Sequence, residues 1–270
     1  MILPIYFNPK KSHQLYGLSE NFNFLKEIFF KKKIPKVLML SGKKGLGKFT
    51  LINHLMHFIF ENKNYDEKSY LLNLNSVFHI QLSNNTFTNI IYLSGADYQN
   101  SKIENIRDLK KRIYQTSISD KPRFIIFDDV ELFNNNSLNA LLKLLEEPTK
   151  NNFFFLINNN FKPLLKTVKS RCLDIKVILN EKKKINIIES LLKRHNINPV
   201  LDPKTSQLTP GNFIKFNYIF DEYKISPNED FLKNLETLLN LFKKDKNIMF
   251  IDMVSFLTDN YFNTLNSRNL

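Results

Sequence analysis

Apolar residues recur along this chain in two rhythms, short continuous runs and runs at helical spacing. Val37-Leu38-Met39-Leu40 is a continuous run of the kind required by a strand buried on both faces. It leads into Gly42-Lys43-Lys44-Gly45-Leu46-Gly47-Lys48 and then into Leu51, Ile52, Leu55, Phe58 and Ile59, which share one helical face. The predicted order is strand, glycine loop, helix. Asn89 to Leu93 reads as a second strand. Ser101 and Glu104 then have the spacing of a capping box before a helix carrying Ile103, Ile106, Leu109 and Ile113. Arg123 to Phe127 is a third apolar strand, ending in Asp128-Asp129. Leu138, Leu141, Leu142 and Leu145 mark a helix that Pro148 stops directly after Glu146 and Glu147. Phe153 to Ile157 runs into Asn158-Asn159-Asn160, and Leu173 to Ile178 supplies a fifth strand.

Strands alternating with helices in this way predict an α/β fold, a parallel sheet covered by helices on both faces. Beyond about Leu179 the strand signals fade. Ile185, Ile188, Leu191 and Leu192 mark one helix there, and Leu232, Leu235, Leu238, Leu239 and Phe242 another. The expected division is an α/β domain over residues 1–178, a small helical region over 179–220 and a further helical region over 221–270.

Composition narrows the function classes. The single cysteine, Cys172, excludes an internal disulfide framework and a zinc site built on several cysteines. No run approaches the roughly 20 apolar residues of a membrane span, and the apolar start Met1 to Phe7 is broken by Pro4 and followed by Lys10 and Lys11. The expectation is a cytoplasmic protein without membrane contact. A formal charge of +13 suits a partner made of phosphate, and it equally suits a general bias toward lysine and asparagine, so both readings stay open.

Candidate chemistry gathers at the glycine loop. Three of the six glycines, Gly42, Gly45 and Gly47, fall within one six-residue stretch between strand and helix. Glycines there let backbone N–H groups curl around a phosphate, while Lys48 supplies charge for its outer oxygens. The plainer alternative is a tight turn. The pattern G-x-x-x-x-G-K-[ST] fails at its last position, where Phe49 replaces the magnesium-binding hydroxyl and Thr50 comes one residue late. Helical residues advance roughly 100° each, so Thr50 does not take over that role without a local slip. ATP binding is therefore left open, and efficient magnesium-assisted hydrolysis is not expected. Asp128, at the end of an apolar strand, is placed as the carboxylate that holds magnesium in P-loop ATPases, with Asp129 beside it, or else as a solvated strand end.

The segment Ser137 to Pro148, S-L-N-A-L-L-K-L-L-E-E-P, resembles the NALLKxLEEP signature of bacterial clamp-loader subunits of the AAA+ class. Thr167-Val168-Lys169-Ser170-Arg171-Cys172 is similar to their T-I-R-S-R-C segment, and the likeness runs from about Leu15 to Ile178. The resemblance implies an AAA+ P-loop domain, a small helical lid and a helical C-terminal collar. It also implies partners: other loader subunits in a hetero-pentamer, a sliding clamp, and primed DNA held through its phosphates. By the same resemblance Arg171 is an arginine finger offered to a neighbour's ATP site, Asn158 occupies a sensor position, and Asp129 stands where hydrolytic members carry glutamate.

Departures from the family pattern are equally informative. Glu61 to Asn89 holds no cysteine where many members carry a four-cysteine zinc module, so no zinc is expected. The lid motif G-S-P-G-R appears as Leu208-Thr209-Pro210-Gly211-Asn212, without its arginine. Phe49, Asp129 and Asn212 all weaken turnover in the chain's own site, which favours a subunit that assists a neighbour. A motor-type ATPase subunit of the same loader and a non-catalytic DNA-binding scaffold are the alternatives.

Overall fold

The computed structural model describes residues 4, 7–95, 121–149, 151–227 and 230–268. The helix expected behind Ser101 and Glu104, with Ile103, Ile106, Leu109 and Ile113, lies outside the described residues, as does most of the apolar start. The chain divides into two compact units, Ile5–Asn180 on one side and Met1–Pro4 with Glu181–Leu270 on the other.

In chain order the first unit contains α1 (Ser19–Phe30), β1 (Val37–Ser41), α2 (Lys48–Glu61), the short strands β2 (Tyr65–Asp66) and β3 (Leu71–Leu72), and α3 (Val77–Ser83). It continues with β4 (Ile90–Ser94), β5 (Arg123–Asp128), α4 (Asn135–Glu146), β6 (Asn152–Asn158), the one-turn α5 (Lys166–Lys169) and β7 (Leu173–Lys176). Five strands form one parallel sheet in the order β4-β5-β6-β1-β7. Ser41 lies level with Asn158, and Ser94 with Asp128, so the carboxyl ends of the central strands form one edge.

Alternation along each strand divides the core in two. Leu38, Leu40, Phe124, Ile126, Phe155 and Ile157 pack with Phe22 and Leu25 of α1 and with Leu51, Ile52, Leu55 and Phe58 of α2. On the opposite face Val37, Met39, Ile125, Phe127, Phe154 and Leu156 pack with Leu138, Leu141, Leu144 and Leu145 of α4 and with Val168 of α5. β7 is an edge strand, shorter than the run predicted over Leu173 to Ile178, and its Leu173 faces solvent.

Between α2 and β4 the chain forms the β2–β3 hairpin and α3, whose N-cap Ser76 accepts from His79 N. Rings close this stretch: Phe22 stacks on Tyr65 at 5.4 Å, and Phe78 meets Phe87 edge-on at 4.8 Å.

The second unit is helical: α6 (Glu181–His195), α7 (Pro210–Glu222), α8 (Phe231–Asp245) and α9 (Met249–Arg268). The buried face of α6 is Lys184, Ile187, Ile188 and Leu192, rotated slightly from the predicted stripe. Lys184 Nζ donates to Ser206 O at 3.0 Å and pairs with Glu181, which is what makes a buried lysine tolerable. Asn217 of α7 is fully buried; its Oδ1 accepts from Val200 N and Leu201 N while its Nδ2 donates to Asn198 O. On α8 only Leu238 of the predicted apolar stripe is buried, and Leu232 and Leu239 are exposed. Among the described residues no helix is long and apolar enough to cross a membrane.

Candidate functional site

The glycine loop leaves β1 at the carboxyl edge of the sheet. Gly42 has a φ of 154°, and a Cβ there would lie 2.5 Å from Val177 O, so only glycine lets the loop lie this close to the end of β7. Gly47, at φ 85°, starts α2 without any side-chain cap. Lys48, the first residue of α2, is buried, and its Nζ donates to Gly42 O at 2.7 Å and Lys43 O at 2.8 Å. Burial pushes its pKa down to about 8, against the upward pull of Asp128, Glu131 and Asp129.

Asp128 ends β5. Its Oδ2 accepts from the Tyr92 hydroxyl at 3.0 Å and its Oδ1 from Asp129 N at 2.9 Å. Burial first, and the charge of Asp129 second, raise the Asp128 pKa to about 6; the two hydrogen bonds and Lys48 pull the other way. Asp129 sits in the left-handed region at φ 49°, and its Oδ1 accepts from Asn159 Nδ2 at 2.6 Å. Asn158 is buried; its Oδ1 accepts from Asn160 N at 3.0 Å and its carbonyl from Gly42 N at 3.2 Å, which ties the turn after β6 to the glycine loop.

Three participants were not singled out from the sequence. Tyr92 is a polar-tipped residue among Ile90, Ile91 and Leu93 of β4. Glu131 is buried in the 3-10 turn after β5, where its Oε1 accepts from Asn159 N at 2.9 Å and Phe161 N at 3.3 Å. Its Oε2 has no hydrogen-bond partner among the described residues, and burial raises its pKa. Asn159 serves both carboxylates. The available signal was a lone carboxylate between Val130 and Leu132, a position that folding would bury.

Phe49 is half-buried and meets the Tyr92 ring edge-on at 5.2 Å; Thr50 is half-buried as well. A magnesium ion requires near-octahedral oxygen ligands. An apolar ring stands at the position of the usual hydroxyl, and a phenol already donates to Asp128. The residues therefore do not fit that ion.

Arg171 takes no part in this cluster. Its Nη2 lies 2.5 Å from Glu146 Oε1, and its Nη1 donates to Thr167 O at 2.7 Å and weakly to Ser170 Oγ at 3.4 Å. The side chain remains 33% exposed. The neighbouring Cys172 packs against the apolar cluster and donates to Val168 O, with burial pushing its thiol up to about 11. Asn212 lies half-buried in the first turn of α7, in the other unit.

A five-stranded parallel sheet with a glycine loop and lysine at its carboxyl edge, and an aspartate at the same edge one strand removed, defines a P-loop domain of the AAA+ class. The family described as DNA polymerase III, delta subunit, matches residues 17–190, and the chain belongs to that family. The delta' subunit of DNA polymerase III from Buchnera aphidicola subsp. Schizaphis graminum is 32% identical over 163 residues, covering 57% of this chain and 49% of that protein. The gamma subunit from the same organism is 36% identical over 95 residues, covering 35% of this chain and 26% of that protein. A gamma subunit-related protein of Thermotoga maritima superposes with a TM-score of 0.48 at 18% identity, over 90% of this chain and 78% of that one. The match spans about half the length of the delta' relative. The chain's likeness is thus to DNA polymerase III subunits of both the delta' and gamma types.

Proposed function

We propose that this subunit works in trans: it joins other loader subunits in a hetero-pentamer that places a sliding clamp on primed DNA, and it offers Arg171 to the ATP bound by a neighbour. A guanidinium beside a transferring γ-phosphoryl stabilises charge that develops chiefly in the transition state, so it raises turnover far more than affinity. The observation that supports this reading is a contrast. Arg171 stands partly exposed on the surface, whereas in the chain's own loop Phe49 follows Lys48 where a hydroxyl is expected and the Tyr92 hydroxyl donates to Asp128. Contacts to DNA, in this reading, are to phosphate and carry no sequence preference.

The test is clamp- and DNA-stimulated ATP hydrolysis by the assembled loader carrying Arg171→Ala. The expected result is intact assembly and nucleotide affinity with turnover lowered on the order of 10³-fold or more at the served site, the range for arginine fingers. Arg171→Lys is expected to rescue poorly, because a point charge does not reproduce the planar fork. Wild-type loading by an assembled Arg171→Ala complex would remove the assigned role.

A further inference from the structure

The guanidinium of Arg171 is held in place by groups from two different elements. α4 ends at Glu146, because Glu147 leaves the helical backbone at φ −125°, ψ 67° and Pro148 follows. α5 packs beside it: Leu141 and Leu145 of α4 share one apolar cluster with Leu164, Leu165, Val168 and Cys172. This packing sets the last side chain of α4 next to the turn that follows α5. There Glu146 Oε1 takes Nη2 at 2.5 Å, and the Thr167 carbonyl takes Nη1 at 2.7 Å.

We propose that Glu146 is a positioning residue for Arg171, an inference that rests on the reading of Arg171 as a finger. A guanidinium carries five N–H donors in a rigid planar fork. Acceptors on both terminal nitrogens fix the plane of that fork as well as its position, and they leave N–H groups over for an incoming phosphate. A carbonyl alone leaves the long side chain free to turn about its bonds, and freezing such a side chain carries an entropic cost. The carboxylate supplies the second anchor and offsets part of that cost before any nucleotide arrives.

The strength of the pair suits this role. Glu146 and Arg171 are 45% and 33% exposed at their side chains, so water and salt screen their attraction. Exposed pairs of this kind shift an equilibrium by no more than about fivefold, enough to bias the rotamers and too little to hold the guanidinium against a multiply charged phosphoryl group. Glu146 therefore orients Arg171 and yields it. The next residue, Glu147, is also exposed and its side chain makes no hydrogen bond among the described residues, so it provides an internal control.

The experiment uses the assembled loader and follows clamp- and DNA-stimulated ATP hydrolysis for Glu146→Ala, Glu146→Gln and Glu147→Ala, each in the wild-type and Arg171→Ala backgrounds. Glu146→Ala is expected to lower kcat about fivefold with KM and assembly unchanged, the upper end for an exposed pair. Glu146→Gln, which keeps an acceptor and loses the charge, is expected to fall between, and Glu147→Ala to match wild type. In the Arg171→Ala background Glu146→Ala should add nothing, because the group it positions is gone. A wild-type kcat for Glu146→Ala, an equal loss in both backgrounds, or failure of the variant to assemble overturns the positioning role while leaving Arg171 as the finger. A wild-type rate for Arg171→Ala alone overturns the finger itself.

Discussion

The Tyr92 hydroxyl donates to Asp128 Oδ2 at 3.0 Å, from a strand that pairs directly with the one Asp128 ends. Tyr92 pairs with Ile126, two residues before Asp128, so both side chains leave the same face of the sheet. The phenol thus donates to the carboxylate that the sequence pattern assigns to magnesium. The aromatic contact with Phe49 holds it there.

Tyr92→Phe is expected to cost about 1.5–3 kcal/mol at pH 8, the range for a hydrogen bond to an ionised group. The loss should shrink at pH 5. Asp128 has a folded pKa of about 6, above its ordinary 3.8, so its favourable contribution is complete below 3.8 and is lost as pH rises through 6. The Tyr92 bond supports the ionised form and so matters most above pH 6. Urea midpoints at the two pH values are the measurement, and an equal loss at both would mean that the bond does not serve the carboxylate.

Phe49→Thr is expected to destabilise the chain by about 2 kcal/mol, roughly half the cost of truncating a fully buried phenylalanine, since the ring is half-buried. It should not by itself create magnesium-dependent ATP binding, because Tyr92 still donates to Asp128. Calorimetric titration with ATP, with and without magnesium, checks this. A magnesium-dependent gain in affinity would place the whole defect at Phe49.

The isolated chain is expected to hydrolyse ATP negligibly, with Lys48→Ala as the control for contaminating activity. Lys48 is already satisfied by two loop carbonyls, and Phe49 stands in the sequence where the magnesium-binding hydroxyl is expected. Lys48-dependent phosphate release at roughly 1 s⁻¹ or faster, an ordinary enzyme rate, would instead favour a motor-type subunit.

Acid should weaken the first unit through its buried histidines. His57 Nε2 and His79 Nδ1 lie 3.3 Å apart between α2 and α3, with His54 and Glu61 on the α2 side, Ser83 on His79, and Lys11 acting on His79 through its charge. Burial, then the neighbouring imidazoles, push His57 down to about 3; burial likewise pushes His54 down to about 3 and lowers His79. Their folded values lie below the ordinary 6.5, so the unfolded chain binds protons first, and stability is complete above 6.5 and lost as pH falls toward 3. Each such group contributes a slope of about 1.4 kcal/mol per pH unit inside that window. Urea midpoints between pH 7 and 5, above most carboxylate titration, should fall steeply; a flat profile there would contradict it.

Much of the fold was legible from local patterns. Continuous runs such as Phe124-Ile125-Ile126-Phe127 mark strands sandwiched between helices, and Gly42 and Gly47 mark the loop because only glycine takes its backbone angles and its close approach to Val177. The helix α1 was missed because Asn21, Asn23 and Lys26 interrupt its apolar residues, although Phe22 and Leu25 are buried. The edge position of β7 and the bare stripe on α8 were not legible, since one apolar face looks the same in sequence whether or not anything covers it.

Sequence by itself determined the strand-loop-helix unit, the placement of Asp128 at a strand end and the likeness to clamp-loader subunits, because each is written in neighbouring residues with a fixed period or spacing. Only the tertiary structure decided what the charged groups do. Tyr92 and Asp128 are 36 residues apart, Asn159 and Asp129 30, Glu131 and Asn159 28, and Glu146 and Arg171 25. Those pairings depend on which strands lie side by side and on how α4 packs against α5. The strand order β4-β5-β6-β1-β7 brings the first three together, a relationship that no local periodicity contains.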